Sequence, residues 1–72
     1  MKSTTFDASS RATYDGAVDA QGRAVPKSWI VTQMVPVYQR DDEQGRGVYY
    51  MVDRNGRYLQ SKDGGPYALF VK

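Results

Sequence analysis

Three places in this 72-residue chain hold residue types that could do chemistry: the acids Asp41, Asp42 and Glu43 in a row, Ser61 beside Lys62, and the glycine-flanked Arg46 in "GRG". Two carboxylates facing each other across a cleft could cleave a glycoside, and alternating acids could ligate calcium. Consecutive acids in a polar loop fit neither design and mark a solvated turn. A Ser–Lys dyad needs both side chains on one side of the backbone, whereas neighbours along a strand point to opposite faces. Neither G-x-x-x-x-G-K-[ST] nor G-x-G-x-x-G occurs, so no phosphate-binding loop is written. Histidine and cysteine are both absent, which removes the usual base of nucleophilic catalysis, the usual transition-metal ligands and every disulfide. The sequence therefore argues against an enzyme, a metal site and a resident cofactor.

Binding is the remaining class. Six tyrosines exceed what the core of so short a chain needs, and tyrosine tolerates exposure while offering a large contact area with a polar tip. Tyrosine and arginine are also the types enriched where binding energy concentrates. Near the C-terminal half they cluster: Tyr50, Val52, Arg54, Arg57, Tyr58, Gln60 and Lys62 are the candidate partner-binding residues. The plain alternative is an ordinary outer sheet face with scattered aromatic and basic groups. The same side chains could stack on bases and neutralise phosphates, as small β-barrels do with single strands. Against nucleic acid stands a formal charge of only +2, spread as four basic against three acidic residues in 1–36 and six against five in 37–72. A protein partner fits better, and self-association through an open strand edge is a third possibility.

What positions these residues is written twice. "VDRNGRYL", Val52 to Leu59, has a near twin in "VDAQGRAV", Val18 to Val25. An Asp three residues before a Gly suits a type I turn closed by a left-handed glycine bulge. The Asp carboxylate accepts turn amides, and Gly takes positive φ without a Cβ penalty. A two-residue type I′ turn at Asn55-Gly56 competes, although Gln21 in the other copy suits that turn poorly. The bulged turn sets a register: Asp53 closes against Arg57, Val52 faces Tyr58, Met51 faces Leu59 and Tyr50 faces Gln60. Tyr49, Met51 and Leu59 then share an inner face, while Tyr50, Val52, Arg54, Tyr58, Gln60 and Lys62 share the outer one. In the first copy Asp19 pairs with Arg23, Val18 with Ala24 and Ala17 with Val25, with Pro26 on a sheet edge. A helix from about Asp7 to Gly22 is the alternative for that region, interrupted by Gly16.

"WIVTQMVPVYQR", Trp29 to Arg40, is rich in β-branched and aromatic residues and reads as a long strand that Pro36 must break or bend. "DDEQGRG" reads as a loop, "KDGGPY" as a turn and "YALFVK" as a closing strand. The expected fold is mainly β: a small single domain, an antiparallel meander, bent sheet or small barrel of four to six short strands, with one short N-terminal helix as an α+β alternative. The rest of the core is expected from Trp29, Val31, Val35, Val37, Leu69 and Val71, with Ile30, Met34 or Phe70 crossing over where a strand bends. Residues 1–10 read as a flexible segment. A chain of this length buries only about 60 to 65% of its unfolded surface, so packing alone must carry a modest stability. The run from Ser28 to Gln39 is too short and polar to span a bilayer, and no secretory leader is apparent, so the expected location is cytoplasmic.

Taken whole, from "MKSTTFDASS" to "GGPYALFVK", the chain resembles the small RNA polymerase-binding transcription regulators of Xanthomonas-infecting phages in size, composition and overall sequence. That resemblance implies a non-enzymatic factor that binds the host polymerase, inhibits initiation at host promoters and assists antitermination. No single motif carries it, and no binding residue is transferred by it.

Overall fold

A computed structural model of the protein describes residues 14–71. Four tight turns of one design shape this part of the chain: Asp19 to Arg23, Asp42 to Arg46, Asp53 to Arg57 and Ser61 to Gly65. In each, the amide of the fourth residue donates to the carbonyl of the first, at 2.9, 3.2, 3.0 and 3.0 Å. The amide of the first donates to the carbonyl of the fifth, at 2.9, 2.8, 3.0 and 2.8 Å. The fourth residue is always glycine, with φ of 81° at Gly22, 78° at Gly45, 80° at Gly56 and 93° at Gly64. These are the bulged turns expected from the twin pattern, occurring twice more than the sequence reading anticipated. The extra copy at Asp42 lay inside "DDEQGR", read only as a loop, although it repeats D-x-x-G-R.

The elements strung between the turns are β1 (Ala17–Val18), α1 (Lys27–Gln33), β2 (Met34–Asp41), β3 (Gly47–Asp53), β4 (Gln60–Ser61) and β5 (Ala68–Val71). They form two small antiparallel sheets, one of β1 with β4 and one in the order β2-β3-β5. The fold is thus mainly β, with five short strands and one helix among the described residues. No helix among them is long and apolar enough to cross a membrane.

Both twin hairpins adopt the expected register around the turn. Val18 bridges Ala24 and the Val25 amide donates to the Ala17 carbonyl; Val52 bridges Tyr58 and the Leu59 amide donates to the Met51 carbonyl. Beyond Leu59 the expectation fails: Tyr50 does not face Gln60. Gln60 instead pairs with Val18 in the other sheet, and Ala68 of β5 takes the place beside Tyr50. The cause is the fourth turn, which reverses the chain after Ser61 so that the Tyr67 amide can donate to the Leu59 carbonyl at 2.8 Å. From there β5 runs along β3.

The segment read as one long strand from Trp29 is helix as far as Gln33 and strand only from Met34. Pro26 is not on a sheet edge; it is the helix N-cap, with φ −65° and ψ 144°, and its missing N–H costs nothing there. The helix must stop before Val35, because the residue preceding Pro36 is barred from helical geometry by the proline ring. The Met34 amide accordingly makes the last helical bond, to the Ile30 carbonyl. Pro36 is accommodated because β2 is an edge strand, where one absent donor breaks no ladder. The alternative helix starting near Asp7 falls partly outside the described residues, as does the expected flexible segment 1–10. From Tyr14 onward that region is a turn followed by β1.

The core gathers Tyr14, Ala17, Ile30, Met34, Tyr49, Met51, Leu59 and Leu69, with Val25, Val31, Tyr67 and Val71 packed half-buried against it. The inner face expected for Tyr49, Met51 and Leu59 is the observed one, and Ile30 and Met34 reach the core one helical turn apart. Trp29, Val35 and Val37, expected inside, are exposed. Helical phase turns Trp29 outward once Ile30 points in, and strand alternation after Met34 sends Val35 and Val37 to the opposite face. Tyr14 completes the interior, its hydroxyl donating to the Met51 sulfur at 3.9 Å. Burial, and secondarily the neighbouring Tyr67, raises its phenol above the ordinary value.

Candidate functional site: an aromatic sheet face and an adjoining groove

The registers of β2, β3 and β5 place three rows of side chains on the face turned away from the core. Val35 lies beside Val52 and Val52 beside Tyr58; Val37 lies beside Tyr50 and Tyr50 beside Ala68; Arg40 lies beside Val48 and Val48, itself fully buried, beside Phe70. Much of this face is open to solvent: Val35 is 59% exposed, Phe70 51%, Tyr58 49% and Val37 40%. Apolar side chains exposed singly are commonplace, but a contiguous sheet face of them marks a place where something else packs.

Its aromatic members are held in place. The Tyr50 and Tyr58 rings meet edge to face, with centroids 5.2 Å apart and planes at 75°. The Arg46 guanidinium lies 4.6 Å from the centre of the Phe70 ring. Arg46 is itself fixed by the second turn, its Nε donating to Asp42 Oδ2 at 2.7 Å. Desolvation pushes the Asp42 carboxyl up, but hydrogen bonds from the Arg46 amide and guanidinium and the Gln44 amide, with the Arg46 charge, outweigh it and hold the group below its usual range. The acids of the "DDE" run are thus engaged in structure: Asp42 closes its turn, and Asp41 accepts the Tyr38 hydroxyl at 3.0 Å.

Of the residues singled out from sequence, Tyr50, Val52 and Tyr58 do stand together on this face. Arg54 sits at the turn beside it, donating to Gln33 Oε1 at 3.4 Å. Gln60 and Lys62 do not join them; Gln60 lies in β4 of the other sheet, and Lys62 follows that strand, its amide donating to the Gly16 carbonyl. Sequence reasoning missed Val35 and Val37, which it placed in the core, and Arg46, which lay in a presumed loop. The signal for the valines was the pair Ile30 and Met34, whose helical spacing shifts the phase of everything after Met34.

The second surface is a groove of about 650 Å³ where the first, third and fourth turns approach α1; its lining includes Trp29, Tyr58, Gln60, Pro66, Asp19 and Asp53. Tyr58 belongs to both the groove and the sheet face. Here the twin turns differ. In the first, Arg23 Nε donates to Asp19 Oδ2 at 3.3 Å, and the Arg23 amide leads the Gln21 amide and the Arg23 charge in lowering the Asp19 carboxyl. In the third, Asp53 Oδ1 accepts the Asn55 and Arg57 amides at 2.9 Å each, but no Asp53–Arg57 ion pair forms among the described residues. Both turns border the groove, and among the described residues the expected cross-turn charge pair forms in the first and not in the third.

Comparison of the chain with protein-family models, with curated proteins and with solved structures finds no match in any of the three.

Proposed function

We propose that the chain is a non-enzymatic protein-binding regulator that docks through the outer face of the β2-β3-β5 sheet. The observation that carries this reading is the contiguous exposed set Val35, Val37, Tyr58 and Phe70 around the Tyr50–Tyr58 pair. Such a face combines large, rigid aromatic contact area with flanking arginines, the composition of a protein-binding hot spot. The whole-chain resemblance supplies the partner: bacterial RNA polymerase, bound by a phage-encoded factor in the host cytoplasm, with initiation inhibited and termination relieved.

A second reading is favoured by one observation, the Arg46 guanidinium stacked on Phe70 in the same row as Arg40. Aromatic rings beside cations can hold single-stranded nucleic acid. Arg46 is already neutralised by Asp42, which weakens that reading.

Purified bacterial RNA polymerase, titrated with the protein in a binding assay and in transcription from a promoter–terminator template, tests the proposal. Saturable binding with fewer initiated transcripts and more read-through supports it. Failure to bind the enzyme, together with oligonucleotide affinity that falls steeply with salt, favours the second reading.

A further inference from the structure

We infer that the groove between the turns binds an extended, proline-rich polypeptide segment carrying a basic residue. Its walls are Trp29, Tyr58, Pro66 and Val25. A polyproline II segment has no internal hydrogen bonds, so its carbonyls need donors and its prolines need flat apolar surfaces. The groove supplies both. Trp29, Tyr58 and Gln60 line it, and the indole N–H, hydroxyl and amide that these side chains carry hydrogen-bond no other described residue. A β-strand would not fit the same place, because Gln60 is flanked by Val18 on one side and Pro66 on the other, leaving no open edge at β4.

Charge selects the ligand further. Asp19 and Asp53 line the groove against the single cation Arg57. In the turns at Asp19 and Asp42 the second carboxylate oxygen is taken by the arginine four residues on, at 3.3 and 2.7 Å. Only in the turn at Asp53 is that oxygen left without a partner among the described residues. It is the acceptor for an incoming lysine or arginine, a role the Asp19 carboxylate, already paired with Arg23, does not share. Tyr58 joins this groove to the aromatic sheet face, so one partner could occupy both, but the inference needs no polymerase and can fail independently of it.

The chain has one tryptophan, so the Trp29 indole N–H signal reports on the groove alone. A synthetic dodecapeptide with two Pro-x-x-Pro turns and a terminal arginine is titrated into the 15N-labelled full chain. Its Pro→Ala and Arg→Glu versions serve as controls, and the Asp53→Asn protein, which keeps the Oδ1 acceptor for the turn amides, as a folded variant. The expected result is a saturable shift of the indole signal with the proline peptide. Both control peptides and the Asp53→Asn protein should bind roughly tenfold or more weakly, as loss of a charged hydrogen bond or of preorganisation implies. No saturable shift at millimolar peptide, equal binding of the Pro→Ala peptide, or an indole signal that moves with protein concentration alone would overturn the assignment; the last gives the groove to a second copy of the chain.

Discussion

Tyr58 rests edge-on against Tyr50 with ring centroids 5.2 Å apart, although the two tyrosines lie on opposite arms of one hairpin. Between them in sequence run Met51, fully buried, and Leu59 follows, buried on the same inner side. One hairpin therefore delivers a packed interior and an ordered aromatic exterior, the alternation of strand side chains doing both. An edge-to-face pair contributes about 0.5 to 1.5 kcal/mol beyond its buried area. More usefully for binding, it holds a half-exposed ring in one orientation before any partner arrives.

Tyr58→Ala and Leu59→Ala should separate these two roles. Tyr58→Ala should weaken polymerase binding by about 1 to 2 kcal/mol or more while chemical denaturation changes little. Leu59→Ala should cost about 2 to 5 kcal/mol of stability, as cavities in well-packed cores do. The opposite pattern, with Tyr58→Ala unfolding the chain and Leu59→Ala tolerated, would mean that the inner and outer faces have been exchanged.

The four turns depend on backbone conformation and not on room for a side chain. A Cβ at Gly45 or Gly56 would meet no atom within 4 Å, yet both have φ near 80°. Gly56→Ala should thus cost about 1 to 2 kcal/mol, the left-handed penalty for an L-residue. D-Alanine at position 56, introduced by chemical synthesis, adopts that φ without strain and should match or exceed the wild-type melting temperature. If L- and D-alanine destabilise equally, sterics and not torsion govern the turn.

Asp42 carries an acid-dependent part of the stability. Its carboxyl is held below the usual range in the folded chain, so the folded state favours the ionised form. That contribution is present above the ordinary aspartate value of about 3.9 and is lost as pH falls through the lower folded value. Thermal melts of Asp42→Asn should therefore differ from wild type at neutral pH and converge with it in strong acid. A difference that stays constant from neutral pH to strong acid would show that the carboxylate charge plays no part.

The turns were legible because their chemistry is local: Asp for the amides, Gly for positive φ, five residues for the closure. The inner face at Tyr49, Met51 and Leu59 followed from that register and a period of two. What was not legible depended on partners distant in sequence. α1 contains Ile30, Val31 and Thr32, poor helix formers whose intrinsic preference is for strand. It is helical because Ile30 and Met34 bury together against the sheet between two prolines, Pro26 that starts a helix and Pro36 that forbids its continuation. Pro26 and Pro36 were visible, ten residues apart, but the strand-like composition between them outweighed their positions. The loss of Gln60 from the candidate face is likewise non-local, since it required knowing that β5 would take the edge of β3. The largest consequence fell on the site itself: reading Trp29 to Arg40 as one strand put Val35 and Val37 inside, and so hid half of the exposed face.

The most direct test of the account is the affinity of purified bacterial RNA polymerase for Val37→Ser/Phe70→Ser, two changes at exposed positions of β2 and β5 that leave the inner-face residues Tyr49, Met51 and Leu69 in place. With melting temperature and near-UV spectrum close to wild type, the double variant should bind at least about tenfold more weakly, because it removes two apolar contacts from opposite ends of the patch. A folded variant that binds the polymerase as tightly as wild type would contradict the assignment of this sheet face as the docking surface.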